Sequence, residues 1–501
     1  MHNTCICNDE VCNGFKRSAP HKISFTVIGT LIKIKMKTFN YIILLFVLSC
    51  FLASAQTTDK QKLVDMGIYP FDSIKSEINY LDESWINCQT VSLGDINNVF
   101  SNIQDLGWLQ DVAKEKKAVF VGENHFNKYT QNLRNRVLFA LNTVDYYPVI
   151  IFEEPYPFTS FVNYYLQLPD EKQANTFYEQ DLYYMITTKE EYDLLQHIRR
   201  WNKSHPDKII AVGYRDVEKT QDELSTTINK IIAPYFQKLN PQYNIDWKVV
   251  LSGNFENLIN EFRQNLEKAE KSNLIGKYPF ITPQYISTVI DNLESSNNML
   301  YRDFLYYRQK AIIRNLTDTS FLGKYLQNGK IIVHGGSLHL RTNIKSDSAN
   351  NLWEGSYLTN VFEYTKGKTY SINVDGIARS LGETSNINSS YIEPALGYKG
   401  MLEKMQKAYK DGLIKADECY FVSIYDQTLN DYYKFWIQKG KNYNGQGLLI
   451  ESVSWDKIID LINVKEPDKA ESFINNRNYN ELFDKLIIIP CSPLITPIIK
   501  K

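Results

Sequence analysis

The chain has 501 residues, 56 Lys and Arg against 57 Asp and Glu, and a formal charge of −1. That balance carries no basic signature and excludes a nucleic-acid binder of the electrostatic kind. The length allows a core of ordinary size, in one large or two medium domains.

The first feature in chain order is an export segment. Met36-Lys37-Thr38 opens a stretch with one basic residue, an apolar run from Tyr41 to Leu52, and Ala53-Ser54-Ala55 before Gln56, the pattern of a secretory signal peptide. A membrane-spanning helix needs about 20 apolar residues. Residues 1–35 then read as an upstream extension without fold meaning, and 36–55 as the signal. Val47-Leu48-Ser49-Cys50 also loosely matches a bacterial lipoprotein box, which would lipidate Cys50 and is the only route to a membrane. Either processing puts the mature chain in the periplasm or outside the cell. Cleavage after Ala55 removes six basic and two acidic residues, leaving 50 against 55 and a charge of −5. Cys88, Cys419 and Cys491 remain, enough for one bridge and too few for a disulfide scaffold.

Ile96, Phe100, Ile103 and Leu106 are spaced for one face of a helix from Ser92 to Lys117. Ala118-Val119-Phe120-Val121 then reads as a buried strand, Tyr129 to Leu141 as a crossover helix, and Val149-Ile150-Ile151-Phe152 as a second strand. A turn marked by Pro155 and Pro157 leads into a helix through Phe161, Tyr164 and Tyr165. Glu190 to Asn202 is helical, and Ile209 to Gly213 is a third strand ending near Tyr214-Arg215-Asp216. Residues 220–326 read as a helical insertion that returns to the sheet at Lys330-Ile331-Ile332-Val333. A helix from Ser356 to Tyr364 and a strand from Thr369 to Val374 complete a core over 92–378. Beyond it, 385–501 is a mixed α/β extension of unassigned role, either lengthening the sheet or forming a small second domain. The fold class is α/β, with a mainly parallel central sheet flanked by helices.

Ligands of open α/β sheets bind outside the carboxyl ends of the strands. Gly122-Glu123-Asn124-His125, Glu153-Glu154 and Gly336-Ser337-Leu338-His339 each follow an apolar run, so distant residues meet at one rim. A neutral imidazole accepts a proton near pH 7, and a carboxylate beside it orients the ring. Glu123 and Glu153, both following buried strands, need a cationic, protonated or metal partner. Arg308 and Asn315, seven apart, share a helix face that can line a substrate, and His334 reads as packed rather than reactive. There is no Gly-x-Ser-x-Gly elbow for a serine nucleophile.

These motifs resemble the superfamily that joins erythromycin esterases, ChaN-type lipoproteins and TraB/TIKI proteases. Gly122-Glu123-Asn124-His125 is similar to the esterase Gly-Glu-x-x-His opening with one residue fewer, and fits the Gly-x-x-His of the TraB/TIKI branch without a gap. Arg134 falls at the esterase spacing. Ile151-Phe152-Glu153 resembles the esterase strand that ends in a catalytic-site Glu, and Phe161-Val162-Asn163-Tyr164 the helix after it. Ile198 to Asn202 and Gly213-Tyr214-Arg215-Asp216 resemble the Arg-x-x-Asn and Gly-Phe-Asp regions. Arg308 to Asn315 keeps the first and last residues of the helix motif. Gly336 replaces the first histidine of the esterase His-Asn-x-His, a departure that favours the Gly-x-x-His reading.

The resemblance implies an exported hydrolase of ester or amide bonds acting on a small molecule or peptide. His125 would be the general base, Glu123 and Glu153 would orient and polarise, and His339 with Arg134 would stabilise the oxyanion. Asp216, Arg308 and Asn315 would bind substrate. In a metal-assisted variant His125, Glu153 and His339 hold one divalent ion; in the other variant no cofactor is used. The alternative is a ChaN-like protein binding haem or iron.

Overall fold

Runs of Val, Ile and Phe cannot alternate between core and solvent, so they become strands covered on both faces. The chain lays such runs down in a sheet with helices against it. The computed structural model describes residues 59–75, 89–93, 103–183, 185–186, 188–240, 255–272, 276–318, 321–343, 353–387, 398–423, 429, 431–441, 446–451 and 482–497. The chain divides into units 1–62 and 63–501, and every element below belongs to the second. The export segment, Cys50, Cys88, Ile96 and Phe100 lie outside the described residues.

Among the described residues ten strands form one sheet: β1 (Ile68–Pro70), β2 (Gln89–Ser92), β3 (Ala118–Glu123), β4 (Val149–Pro155), β5 (Ala211–Asp216), β6 (Ile331–Gly336), β7 (Thr369–Ser380), β8 (Tyr420–Val422), β9 (Gln446–Glu451) and β10 (Lys485–Pro493). Their order is β2-β9-β10-β7-β3-β6-β4-β5, with β8 pairing β7 and β1. The run β10-β7-β3-β6-β4-β5 is parallel throughout. Because its strands point one way, the ends of β3, β4, β5 and β6 open on a common rim.

The helices that matter to the rim are α1 (Lys128–Val144), α2 (Lys189–Ser204), α3 (Phe255–Lys271), α4 (Pro283–Tyr301), α5 (Phe304–Thr317) and α6 (Glu354–Asn360). The crossover helix α1 has more than the expected apolar stripe: Thr130 and every residue from Asn132 to Asn142 are buried. It is enclosed because it packs on α2, on the helix Leu109–Glu115 and on β10. Between β5 and β6 the regular elements of the described residues are all helical, with α5 packed on β5 and α4 packed on α5.

Two boundaries differ from expectation. Ser92 belongs to β2, and the described part of the helix predicted over 92–117 holds a 3-10 turn at Gln104–Leu106 and a helix at Leu109–Glu115. The third core strand begins at Ala211 and carries Tyr214-Arg215-Asp216 inside it, whereas Ile209 is exposed. Of the two possibilities for 385–501, β9 and β10 lengthen the sheet: β10 pairs in parallel with β7 over eight positions from Lys485 to Pro493, and β9 continues the sheet antiparallel. Extension of the sheet satisfies the backbone groups of β7 that a separate domain would leave unpaired. A disulfide joins Cys419 to Cys491, with Cα atoms 6.1 Å apart. Among the described residues no helix is long and apolar enough to cross a membrane.

Candidate active site

Glu123 is the last residue of β3, and the chain turns at Asn124–Asn127 into α1. Its Oε1 lies 2.9 Å from His125 Nδ1, and its Oε2 accepts from Gln131 Nε2 at 2.9 Å. His334 Nε2 sits 3.1 Å from the same Oε2, close enough for electrostatic attraction but off the line of a hydrogen bond. Burial works to raise the Glu123 carboxyl, but the two imidazoles outweigh it and hold it far below the usual carboxylate range. An ionised Glu123 fixes the proton on His125 Nδ1 and leaves Nε2 directed away from it. Burial also pulls His125 down, and the Glu123 hydrogen bond with the charges of Glu123 and Glu153 reverses this to a net rise. Deep burial beside Arg134 and Arg215 moves His334 the other way, Glu123 notwithstanding.

A second histidine–glutamate pair faces the first. The turn after β6 carries His339, whose Nδ1 is 3.2 Å from Glu354 Oε2 at the start of α6. Its ring stands edge-on to Trp353, centroids 4.8 Å apart. Glu354 is fully buried and also accepts from Arg215 Nε and Nη2 (3.1 and 2.9 Å) and from Gln309 Nε2 (2.7 Å). Burial raises its carboxyl, yet His339 and Arg215 bring it down to about 2. His339 Nε2 points to Glu153 Oε1 at 3.5 Å.

Glu153 is the hub. Arg308 Nη2 donates to its Oε1 at 2.5 Å, and the Gly336 amide donates to its Oε2 at 2.7 Å. Burial opposes its ionisation, and His339, Arg308 and Lys219 overcome that and keep the carboxyl well below its usual range. Arg308 in turn holds both oxygens of Asp216, with Nε at 3.0 and 3.2 Å and Nη2 at 2.7 Å. Lys219 Nζ adds an ion pair to Asp216 at 3.1 Å. Such bidentate guanidinium–carboxylate contacts fix geometry as well as charge.

Gly336 shows how tightly the two halves approach. A Cβ there would stand 3.1 Å from His125 Nε2 and 3.4 Å from Glu153 Oε2. Both reactive edges therefore border one small space, and a histidine in place of Gly336, as in the esterase motif, would fill it. His125 is the side chain of this group that reaches solvent, 34% exposed against 9% for His339 and 10% for Glu153.

No protein-family model matches the chain, and no curated protein does. Among solved structures, it resembles a Bacillus cereus protein at 14% identity, covering 82% of this chain and 97% of that one, with a TM-score of 0.48. It also resembles a succinoglycan biosynthesis protein (12% identity, 81% and 96% covered, TM-score 0.47). A third is an erythromycin esterase mutant in its open conformation (13% identity, 81% and 98% covered, TM-score 0.43). These are likenesses of overall fold.

The rim brings together Glu123, His125, Glu153, His339, Arg308 and Asp216, and it leaves two expected residues apart. Arg134 is 2% exposed, with its guanidinium stacked 4.8 Å over the Phe152 ring. Phe152 and Glu153 are successive strand residues and face opposite sides of the sheet, so Arg134 does not join His339. Arg308 holds the place at Glu153 instead. Asn315 is fully buried, pairing its amide with Asn292 and with the Arg215 carbonyl (3.0 Å). It positions β5 and does not line a substrate space.

The metal set fits poorly. Among the described residues no group of three His, Cys, Asp or Glu side chains forms a metal cage. His125 Nδ1 is engaged by Glu123, and a guanidinium occupies the Glu153 oxygen that faces His339. A divalent ion would stand against Arg308 at that oxygen.

Glu354, Arg215 and Lys219 complete the site and had no role in the sequence reading. Glu354 opens a short helix, where an acidic residue ordinarily reads as a favourable end charge. Arg215 lay in a recognised stretch, but its contacts depend on which face of β5 it takes.

Proposed function

We propose that the chain is a hydrolase that cleaves an ester or amide bond of a small molecule or peptide, with water activated by His125. One observation carries the reading: two histidine–glutamate pairs, His125–Glu123 and His339–Glu354, direct their Nε2 atoms towards the space beside Glu153. Water between them gives its proton to His125 Nε2 as its oxygen bonds to the carbonyl carbon. His339, as the imidazolium between Glu354 and Glu153, donates its Nε2–H to the oxyanion that forms, and collapse breaks the C–O or C–N bond while the His125 imidazolium protonates the leaving group. Glu153, kept ionised by Arg308, stabilises the charged imidazole. Gly336 leaves room for the reacting atoms. Export of the mature chain belongs to this reading, supported by the Cys419–Cys491 bridge, which persists in oxidising compartments.

The test is turnover of a panel of aryl and alkyl esters, lactones and peptides. His125→Ala and His339→Ala are each expected to lose about 100-fold or more of kcat/KM, the scale of general acid–base catalysis, with unchanged far-UV spectra. Full turnover in His125→Ala would sink the mechanism. A Soret band on haem titration in a protein inert towards the whole panel would replace it with the haem-binding alternative.

A further inference from the structure

The end of β10 and the residues after it run across the loop carrying His125. Ser492 Oγ accepts the Tyr129 backbone N–H at 3.1 Å, in the first turn of α1. Leu494 bridges Asn127, and Ile495 N–H donates to the Phe126 carbonyl at 3.2 Å. The chain then crosses to α2: Thr496 N–H donates to Glu190 Oε2 at 3.0 Å, Lys189 N–H donates to the Thr496 carbonyl at 2.8 Å, and Pro497 bridges Thr188. Five residues thus tie the start of α1 to the start of α2 without entering either.

What they tie down is strained. Phe126 has φ 77°, the left-handed conformation, and is the one such residue other than glycine among the described residues. A bulky side chain adopts it at a cost and holds it only where surrounding contacts impose it. Those contacts come from the C-terminal part of the chain: the Phe126 ring is buried with Leu381, Met401, Met405 and Leu494, and its carbonyl takes the Ile495 N–H. Below it, Asn127 Nδ2 donates to the Asn124 carbonyl at 2.8 Å, and a Cβ at Gly376 would overlap the Asn127 amide at 2.4 Å. The peptide before Phe126 belongs to His125, so the twist at Phe126 sets the direction in which the imidazole leaves the backbone.

We propose that residues 492–497 are a strap that positions His125, and that this is the role of the C-terminal extension. The strap fixes the left-handed Phe126 through one backbone donor and one apolar contact, and so keeps His125 Nδ1 on Glu123 and Nε2 towards Gly336. The Cys419–Cys491 bridge anchors the residue next to the strap. The proposal concerns the geometry of the imidazole and holds whether or not the hydrolase reading does.

The experiment compares Ile495→Pro, which deletes the donor to Phe126, with Ile495→Ala, which retains it, in the full mature chain. The readout is the ring-nitrogen NMR signal of His125 at one fixed pH, assigned by its loss in His125→Ala. The parent and Ile495→Ala should show a single fixed Nδ1–H tautomer. Ile495→Pro should show averaged nitrogens, and any turnover found should fall at least tenfold in kcat with little change in KM. An unchanged His125 signal in folded Ile495→Pro overturns the proposal. If that variant does not fold, Leu494→Ala decides by the same signal: averaging supports the strap, and a parent-like signal rejects it. Loss of turnover without a change in the signal also counts against the strap, while a changed signal in a chain with no turnover leaves it standing and removes only the hydrolase.

Discussion

Glu123 and His125 are two residues apart; the chain leaves the sheet after Glu123, and the two side chains meet at 2.9 Å. The outcome is a pair whose charge states are linked. Glu123 remains ionised, and its hydrogen bond lifts the His125 pKa above the ordinary 6.5. A general base works when unprotonated, so kcat/KM is expected to fall on the acid side with a midpoint above 6.5. Glu123→Gln removes the hydrogen-bonded charge and should move that midpoint down; a midpoint unmoved by Glu123→Gln would exclude His125 as the titrating base. The same link has a stability sign. His125 contributes most below its unfolded value of 6.5 and progressively less as pH rises through the raised folded value. Glu154, one residue past Glu153, faces the other side of the sheet, where burial and then Glu191 push its carboxyl well above normal. Adjacent glutamates are thus driven in opposite directions by the alternation of the strand.

At the scale of elements, local pattern was a good guide where burial is complete. β3, β4 and β6 were legible as apolar runs because a strand covered on both faces has no polar side to disguise it. The helix predicted from Ser92 was not realised at its start, since pairing with β9 claims Gln89–Ser92 for the sheet. The C-terminal strands were readable as strands, but their place beside β7 was not: pairing across more than 100 residues of sequence leaves no local mark. The Cys419–Cys491 bridge spans 72 residues, and the loop-entropy estimate for such a closure is about 4 kcal/mol at most. Cys419→Ser should therefore lower unfolding stability by no more than that, measured by denaturant titration. A parent protein that loses nothing on full reduction would show that the bridge does not constrain the unfolded chain.

The whole molecule sets what remains. The six-strand parallel core delivers Glu123, Glu153, Asp216 and Gly336 to one rim, while the helices between β5 and β6 supply Arg308 and the turn after β6 supplies His339. Processing also belongs to this scale: the proposed signal predicts a mature N-terminus at Gln56, read by intact mass of the protein secreted from a bacterial host. A mass corresponding to acylated Cys50 would instead mean lipid anchoring, and an uncleaved chain would remove the export reading. The sequence by itself determined the α/β class, the strand ends that bear the reactive side chains and the two histidines, because hydrophobic runs and the direction of parallel strands are local properties with a fixed geometric consequence. Only the tertiary structure decided that Arg134 lies apart from His339 while Arg308 meets Glu153, that Glu354 backs His339, and that the C-terminal segment crosses the His125 loop. Those choices follow from strand register and helix placement, which decide the face on which each side chain emerges and which the order of residues along the chain does not state.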